Sequence, residues 1–119
     1  MVDNHLRTVN YWLIVQLDNL CTRHSKKTTT DWGVYSFIKK GNLIQFTIDI
    51  NRADIQAYSN TISIPNEFLP DTNYCTPVCI VGNVSSGIPG IIRYNEENLI
   101  FTTKIAQGSI GHTTWISRS

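Results

Sequence analysis

Residues 41–50 read GNLIQFTIDI, a stretch in which apolar and polar side chains alternate without a break. The apolar positions are Ile44, Phe46, Ile48 and Ile50, and the polar positions between them are Gln45, Thr47 and Asp49. Successive side chains of a strand point to opposite faces, so this pattern predicts a β-strand with one face on a core and the other in water. It therefore indicates a β-rich protein.

The segment before this stretch predicts its partner strand. Residues 32–38 (WGVYSFI) are apolar and aromatic, and residues 39–42 (KKGN) carry a Gly-Asn pair between two apolar segments. Glycine and asparagine tolerate positive φ, which makes such a pair a hairpin signal. We expect the two strands to pair antiparallel.

Short apolar segments separated by turn residues continue to the end of the chain. The predicted strands are residues 61–64, 74–81, 91–94, 99–103 and 112–117, with residues 55–58 either a brief strand or part of a loop. Pro65 and Pro70 bracket a segment that cannot join a central strand, so we expect a corner there with Phe68 and Leu69 in the core. No helical period follows Asp31. Six to eight such strands predict an all-β fold, an antiparallel β-sandwich or jelly roll.

The chain divides into two parts by composition. Its 119 residues suit one domain, predicted over residues 31–119. Residues 1–30 are a separate N-terminal segment. Its apolar residues 11–17 predict a strand, with a short helix that docks on a neighbour as the alternative, and residues 21–30 predict a polar loop or linker. That loop carries a basic cluster, which is interpreted as solvated surface: Arg23, His24, Lys26 and Lys27.

Charge and hydropathy limit the classes of partner. The net charge of +1 lacks the basic excess that nucleic acid or an anionic membrane surface attracts, so neither is expected as a partner. No apolar run is long enough to span a bilayer, and the N-terminus lacks the pattern of a secretory signal peptide. Charged residues make up only 16%, which suits a surface that packs against copies of itself.

The three cysteines predict a reduced protein without a metal or cofactor. Their odd number cannot all pair within one chain. Cys75 and Cys79 are predicted to point the same way from one extended segment, roughly 13 Å apart and beyond bridging distance. We interpret them as small apolar fillers. The three histidines are scattered singly, whereas a zinc site needs ligands at short spacing.

No catalytic constellation is recognisable. A glycosidase needs two carboxylates across a cleft, but Glu96 and Glu97 are adjacent on a predicted turn. The chemistry that remains is that of surface aromatic and polar side chains, which bind sugars by stacking and hydrogen bonding. The candidate ligand-binding residues are Arg93, Tyr94 and Trp115, each with packing or subunit contact as its alternative role.

From Trp32 onward the order of features resembles the C-terminal head domain of phage tail-fibre and baseplate proteins. The resemblance covers about 85 residues, from Asp31 to Ser117. It rests on four features: Trp32 with the pattern Tyr-x-x-x-Lys-x-Gly-Asn-x-Ile-x-Phe at residues 35–46, IPNEFLP at residues 64–70, Leu-Ile-Phe at residues 99–101, and the ending Trp115-Ile116. Residues 95–98 depart from it, because Asn-Glu-Glu-Asn stands where a simple Asp-Gly turn is usual.

The resemblance implies a function as well as a fold. Such heads look like jelly rolls or related sandwiches, assemble as homotrimers and recognise saccharide on a host cell envelope. It therefore implies a non-catalytic receptor-binding or structural head with no cofactor. Its partners would be copies of itself, a host surface saccharide and other tail or baseplate proteins. The protein would be made in the bacterial cytoplasm and carried in a virion tail or phage-like particle.

Two alternatives remain open at this point. A free-standing bacterial lectin-like module would present a discrete sugar site on a monomer. A small polysaccharide hydrolase would need an acidic or nucleophilic residue with a strongly shifted pKa in a cleft.

Overall fold

The computed structural model describes residues 23–83, 85 and 87–118. The predicted strand at residues 11–17 and Cys21 lie outside the described residues. Within them, eight strands occur: β1 (Arg23–Thr29), β2 (Val34–Lys40), β3 (Leu43–Ile50), β4 (Thr61–Ser63), β5 (Val78–Gly82), β6 (Gly90–Asn95), β7 (Asn98–Phe101) and β8 (Ser109–Ile116). The one helix of the described residues is a 3-10 turn at Asn66–Phe68.

All eight strands belong to one antiparallel sheet in the order β1-β2-β3-β8-β5-β6-β7-β4. The all-β, antiparallel class predicted from the sequence is therefore confirmed. The sheet curls around its core: Trp32, just before β2, meets Phe101 of β7 edge-on with ring centroids 5.4 Å apart. Four strands lie between β2 and β7 in the sheet order, so only a strongly curled sheet brings these two rings together.

The β2–β3 hairpin is confirmed. The two strands pair from Val34↔Asp49 to Lys40↔Leu43, which leaves Gly41 and Asn42 as a two-residue turn. Gly41 has φ 61°, the left-handed value that a type II′ turn requires at its first central position and that favours glycine. The four apolar positions of β3 are buried, as the alternation predicts.

An aromatic cluster fills the centre of the core. Phe37 of β2 lies 5.2 Å from Phe46 of β3 and 5.3 Å from Phe68, measured between ring centroids. Phe68 and Leu69 are buried, which confirms the predicted corner. Further buried residues from the other strands complete the core: Ile62, Ile64, Cys79, Val81, Ile92, Leu99 and Phe101.

The loop predicted for residues 21–30 is wrong where the structure describes it. Residues 23–29 form β1, which pairs with β2 over seven positions from Arg23↔Lys40 to Thr29↔Val34. The polar composition misled the prediction because β1 is an edge strand, held by backbone hydrogen bonds, and exposed charges are common on edge strands. The side chains of His24, Lys26 and Lys27 are exposed, as expected for a solvated cluster.

The strand predicted for residues 74–81 begins only at Val78. Tyr74 instead closes a turn, because its N–H donates to the carbonyl of Asp71 at 3.1 Å. Cys75 is consequently exposed while Cys79 is buried, so the prediction that both point the same way is wrong. Cys79 is the expected apolar filler and Cys75 is not. Both thiols are free.

Strand β8 begins three residues before the predicted start and lies at the centre of the sheet, between β3 and β5. Trp115 points inward, while Thr114 and Ile116 are exposed on the opposite face, as predicted. Gly111 hid the early start of the strand because it interrupts the apolar pattern. The close approach of β5 explains this glycine, since a Cβ at this position would lie 2.5 Å from Cγ1 of Val81.

Candidate functional site

A groove of about 530 Å³ lies over β5, β6 and β7, on the face of the sheet that points away from the core. Its walls come from these strands and from the loop between β3 and β4. The lining residues are Tyr58, Thr76, Pro77, Val78, Arg93, Tyr94, Asn95, Ile100 and Thr102. We call this the Tyr58–Arg93 groove.

Strand register builds the floor of the groove. Val78 of β5 pairs with Arg93 of β6, and Arg93 pairs with Ile100 of β7. Since side chains alternate along each strand, this row points away from the core, whereas the next row contains the buried Cys79 and Ile92. A cation therefore stands between two aliphatic side chains on the floor of the groove.

Tyr58 forms an aromatic wall that is held in place by the backbone. Its side chain is 71% exposed, and its φ of 59° lies in the left-handed region that aromatic residues rarely adopt. Its N–H donates to the carbonyl of Phe101 at 2.7 Å, and the next turn is closed by the hydroxyl of Ser59 on the carbonyl of Gln56 at 2.7 Å. These bonds hold the backbone of Tyr58 beside β7, next to the row that contains Arg93.

Arg93 has no partner among the described residues. Its side chain is exposed and makes neither a hydrogen bond nor an ion pair with any of them. None of the described residues that line the groove is acidic. Glu97, on the turn after β6, is engaged by Arg118, which binds its carboxylate at 3.1 Å, and this hydrogen bond raises the pKa of Arg118. Within the described part of the chain, the groove thus presents a guanidinium without a counterion.

Neutral polar groups complete the lining. The hydroxyl of Thr102 donates to the carbonyl of Ile91 at 2.9 Å, which leaves its oxygen free to accept from a ligand. Thr76 and Asn95 are exposed at the other end of the groove. Donors and acceptors for sugar hydroxyls are therefore available along the groove.

Of the three predicted site residues, the structure places only the side chain of Arg93 on the outer face of the groove. Tyr94 borders the groove as the next residue of β6, but its ring lies on the opposite face and packs against the core. Trp115 is only 2% exposed; its indole N–H donates to the carbonyl of Phe68 at 2.7 Å, and its ring packs against Phe37 and Phe46. It offers no ring face to a ligand in this structure.

Sequence reasoning missed Tyr58 and Thr76 as lining residues. The sequence pattern places Tyr58 in either a brief strand or a loop. An isolated tyrosine followed by Ser59 and Asn60 is itself a sign of an exposed ring. Thr76 was placed on a strand that begins only at Val78. Both lie on loops, whose spatial neighbours a local pattern does not reveal.

A second groove, of about 540 Å³, lies over β3, β8 and β5. It is lined by Gln45, Thr47, Ile48, Ile80, Ile110, Gly111 and His112. Its size matches the Tyr58–Arg93 groove, but its lining contains no aromatic ring of tyrosine or tryptophan and no arginine or lysine. The chemical character of the lining residues, and not the volume, therefore distinguishes the two grooves.

Other site classes gain no support within the described part of the chain. No group of three or more histidine, cysteine, aspartate or glutamate side chains converges there as metal ligands would. Residues 23–83, 85 and 87–118 also include no helix with the length and apolar character to cross a membrane.

Comparison with known protein families and with curated proteins gives no match to this sequence. Evidence for the function of this protein therefore comes from the geometry of the groove and from the sequence resemblance described above.

Proposed function

We propose that this protein is a non-catalytic recognition head of the phage tail or baseplate type, which binds saccharide on a host cell surface. The observation that carries the proposal is the Tyr58–Arg93 groove, where an exposed, anchored aromatic ring stands beside a cation and several hydroxyl and amide groups. Sugars are bound by this combination, with a ring face against their C–H groups and polar side chains on their hydroxyls.

The size and composition of the groove fit this use. A volume of about 530 Å³ lies within the range of small-ligand sites and accommodates about one or two sugar rings. A glycosidase would require paired carboxylates. No acidic side chain among residues 23–83, 85 and 87–118 lines the groove, and this supports binding without hydrolysis.

We further propose that the head is a sandwich or jelly-roll type unit that assembles as a homotrimer. Support comes from an outer-face patch on β3, β5 and β8, defined by Leu43 (54% exposed), Ile80 (64%), Ile110 (63%) and Ile116 (46%). Leu43 and Ile116 are register partners at one end of β3 and β8, and Ile110 faces Asp49 at the other end. Gln45, Thr47, His112 and Thr114 lie between these two pairs on the same face. Apolar area with few charges is typical of the buried centre of subunit interfaces.

The sequence resemblance implies where in an assembly the protein is located. A trimeric head at the tip of a tail or baseplate would present three copies of the groove, and linked weak sites gain avidity. Its partners would be its own copies, the other tail proteins and the host saccharide, in a virion or phage-like particle made in the bacterial cytoplasm.

A free-standing lectin-like module is the second candidate. It is favoured by one observation, that the Tyr58–Arg93 groove is formed within a single chain. It shares the sugar site but predicts a monomer, so the mass in solution separates the two candidates.

The test of saccharide recognition is binding of the purified protein to an array of bacterial surface polysaccharides. The variant Tyr58→Ala removes the aromatic wall, and we expect it to lose at least tenfold in affinity. Tyr74→Ala is the matched control, because Tyr74 is equally exposed at 73% but does not line the groove. Absence of binding by the unaltered protein, or equal loss in both variants, would refute the proposal.

A further inference from the structure

Arg93 carries the one charged side chain among the described residues that line the Tyr58–Arg93 groove. It lies on the floor of the groove between the aliphatic side chains of Val78 and Ile100. Such neighbours offer it no hydrogen bond. No described residue forms an ion pair with Arg93, so within the described part of the chain its charge has no counterion.

We propose that the ligand of this groove is an anionic glycan, whose carboxylate or phosphate group binds Arg93 while a sugar ring stacks on Tyr58. This inference rests on the proposed function and narrows it to a substrate class. An arginine fork matches both oxyanions with two parallel hydrogen bonds, and such charge-assisted bonds are about twice as strong as neutral ones.

The aliphatic surroundings strengthen this selection. An anion that binds at Arg93 displaces water from Val78 and Ile100 as well, so the ion pair forms in a partly desolvated place where screening is weaker than on an open surface. A neutral glycan offers the guanidinium only hydroxyl oxygens, whose hydrogen bonds are weaker than those of a charged oxyanion. The groove therefore favours acidic sugars over neutral ones.

Backbone hydrogen bonds hold the two chain segments that carry Tyr58 and Arg93. Tyr94, next to Arg93, donates its N–H to the carbonyl of Pro77 at 3.1 Å, and Tyr58 donates to Phe101 of β7 at 2.7 Å. Since β6 and β7 pair directly, the backbone positions of Tyr58 and Arg93 are coupled through one ladder. A ligand needs its anionic group next to a ring that can stack, as in a uronic acid or a sugar phosphate.

The experiment compares three probes by calorimetry: oligogalacturonate as the carboxylate glycan, poly(glycerol phosphate) as the phosphate polymer, and dextran as the neutral glycan. Each is titrated into the unaltered protein and into Arg93→Gln, Arg93→Lys and Lys27→Gln. Lys27→Gln is the charge-matched control, because exposed Lys27 lies on β1 at the far edge of the sheet.

We expect binding of at least one of the two anionic probes and none of dextran. Arg93→Gln should weaken that binding at least tenfold, Arg93→Lys should restore part of it, and Lys27→Gln should change it less than twofold. The anionic probe that binds shows whether the groove recognises a carboxylate or a phosphate group.

Two results would overturn the inference while leaving saccharide recognition intact. One is binding of dextran that Tyr58→Ala abolishes and Arg93→Gln does not. The other is equal weakening by Arg93→Gln and Lys27→Gln, which would indicate unspecific attraction. Failure of the unaltered protein to bind these probes and the polysaccharide array would overturn both the inference and the proposed function.

Discussion

The indole nitrogen of Trp115 donates a 2.7 Å hydrogen bond to the backbone carbonyl of Phe68, and so ties the central strand β8 to the corner between β4 and β5. Both residues are buried, and Phe68 stacks on Phe37 with ring centroids 5.3 Å apart. The contact joins residues 47 positions apart in the sequence. A residue with the appearance of a sugar-binding tryptophan is thus part of the core.

Trp115→Phe is expected to destabilise the fold through this bond. The substitution keeps an aromatic ring but leaves the carbonyl of Phe68 without its donor, at a cost of about 1–3 kcal/mol. Denaturant unfolding measures the change. Tyr74→Phe, which alters an exposed ring, serves as the control and should change stability by less than about 0.5 kcal/mol. Equal stability of the two variants would contradict a structural role for the bond.

Two glycines of the β5–β8 ladder should respond in opposite ways to alanine. A Cβ at Gly111 would lie 2.5 Å from Cγ1 of Val81 and 2.7 Å from the carbonyl oxygen of Ile80, so the two central strands would have to separate. We expect Gly111→Ala to lower the free energy of unfolding by about 1–3 kcal/mol. At Gly82 a Cβ meets nothing within 4 Å. Gly82→Ala should be neutral or slightly stabilising in the same denaturation assay, and a loss as large as that of Gly111→Ala would refute the register.

Substitutions in the β6–β7 turn can increase the stability of the fold. Glu96 and Glu97 adopt φ of 47° and 69°, values that asparagine and glycine tolerate better. The double substitution Glu96→Asn with Glu97→Gly should raise the free energy of unfolding by about 0.5–1 kcal/mol. Glu97→Ala is the control, since it removes the exposed ion pair to Arg118 without relieving the backbone. Thermal unfolding that shows no gain of the double variant over Glu97→Ala would contradict the turn geometry.

Burial of Cys79 should make stability depend on alkaline pH. Desolvation raises the pKa of this thiol from 9.0 to about 11. Below pH 9 the thiol is protonated in both states; between pH 9 and 11 the unfolded chain loses the proton while the native protein keeps it. Stability therefore falls over this window, by at most about 1.4 kcal/mol per pH unit.

Denaturation of the protein and of Cys79→Val between pH 7 and 10.5 measures this contribution. The two proteins share every other ionisable group, so the difference in slope isolates the thiol. We expect the unaltered protein to lose stability more steeply above pH 9. Identical slopes would show that the Cys79 thiol is not shielded from water.

Local patterns predicted those elements whose side chains carry their own signal. Strict alternation located β3, Gly-Asn located the hairpin, and two prolines located the corner that buries Phe68. Strand β1 was missed because its stability comes from pairing with β2 and not from an apolar face. The start of β8 was missed because the close approach of Val81, a residue 30 positions earlier in the sequence, requires a glycine at position 111.

The candidate site was only half predictable for the same reason. A local pattern predicted Arg93, but strand alternation places its neighbour Tyr94 on the opposite face, against the core. Tyr58 joins Arg93 only because its N–H reaches the carbonyl of Phe101, and nothing near Tyr58 in the sequence indicates this bond. Trp115 is the opposite case. Its sequence position predicts a ring that is available to a ligand, but the corner at Phe68 buries that ring in the core.

The central claim, a self-assembling recognition head, is tested most directly by the mass of the protein in solution. Sedimentation equilibrium on the 13.5 kDa chain should give three times that mass at micromolar concentration, and replacement of Ile80 and Ile110 by serine should reduce it. A mass of 13.5 kDa at every concentration would contradict the trimeric head and favour the lectin-like monomer.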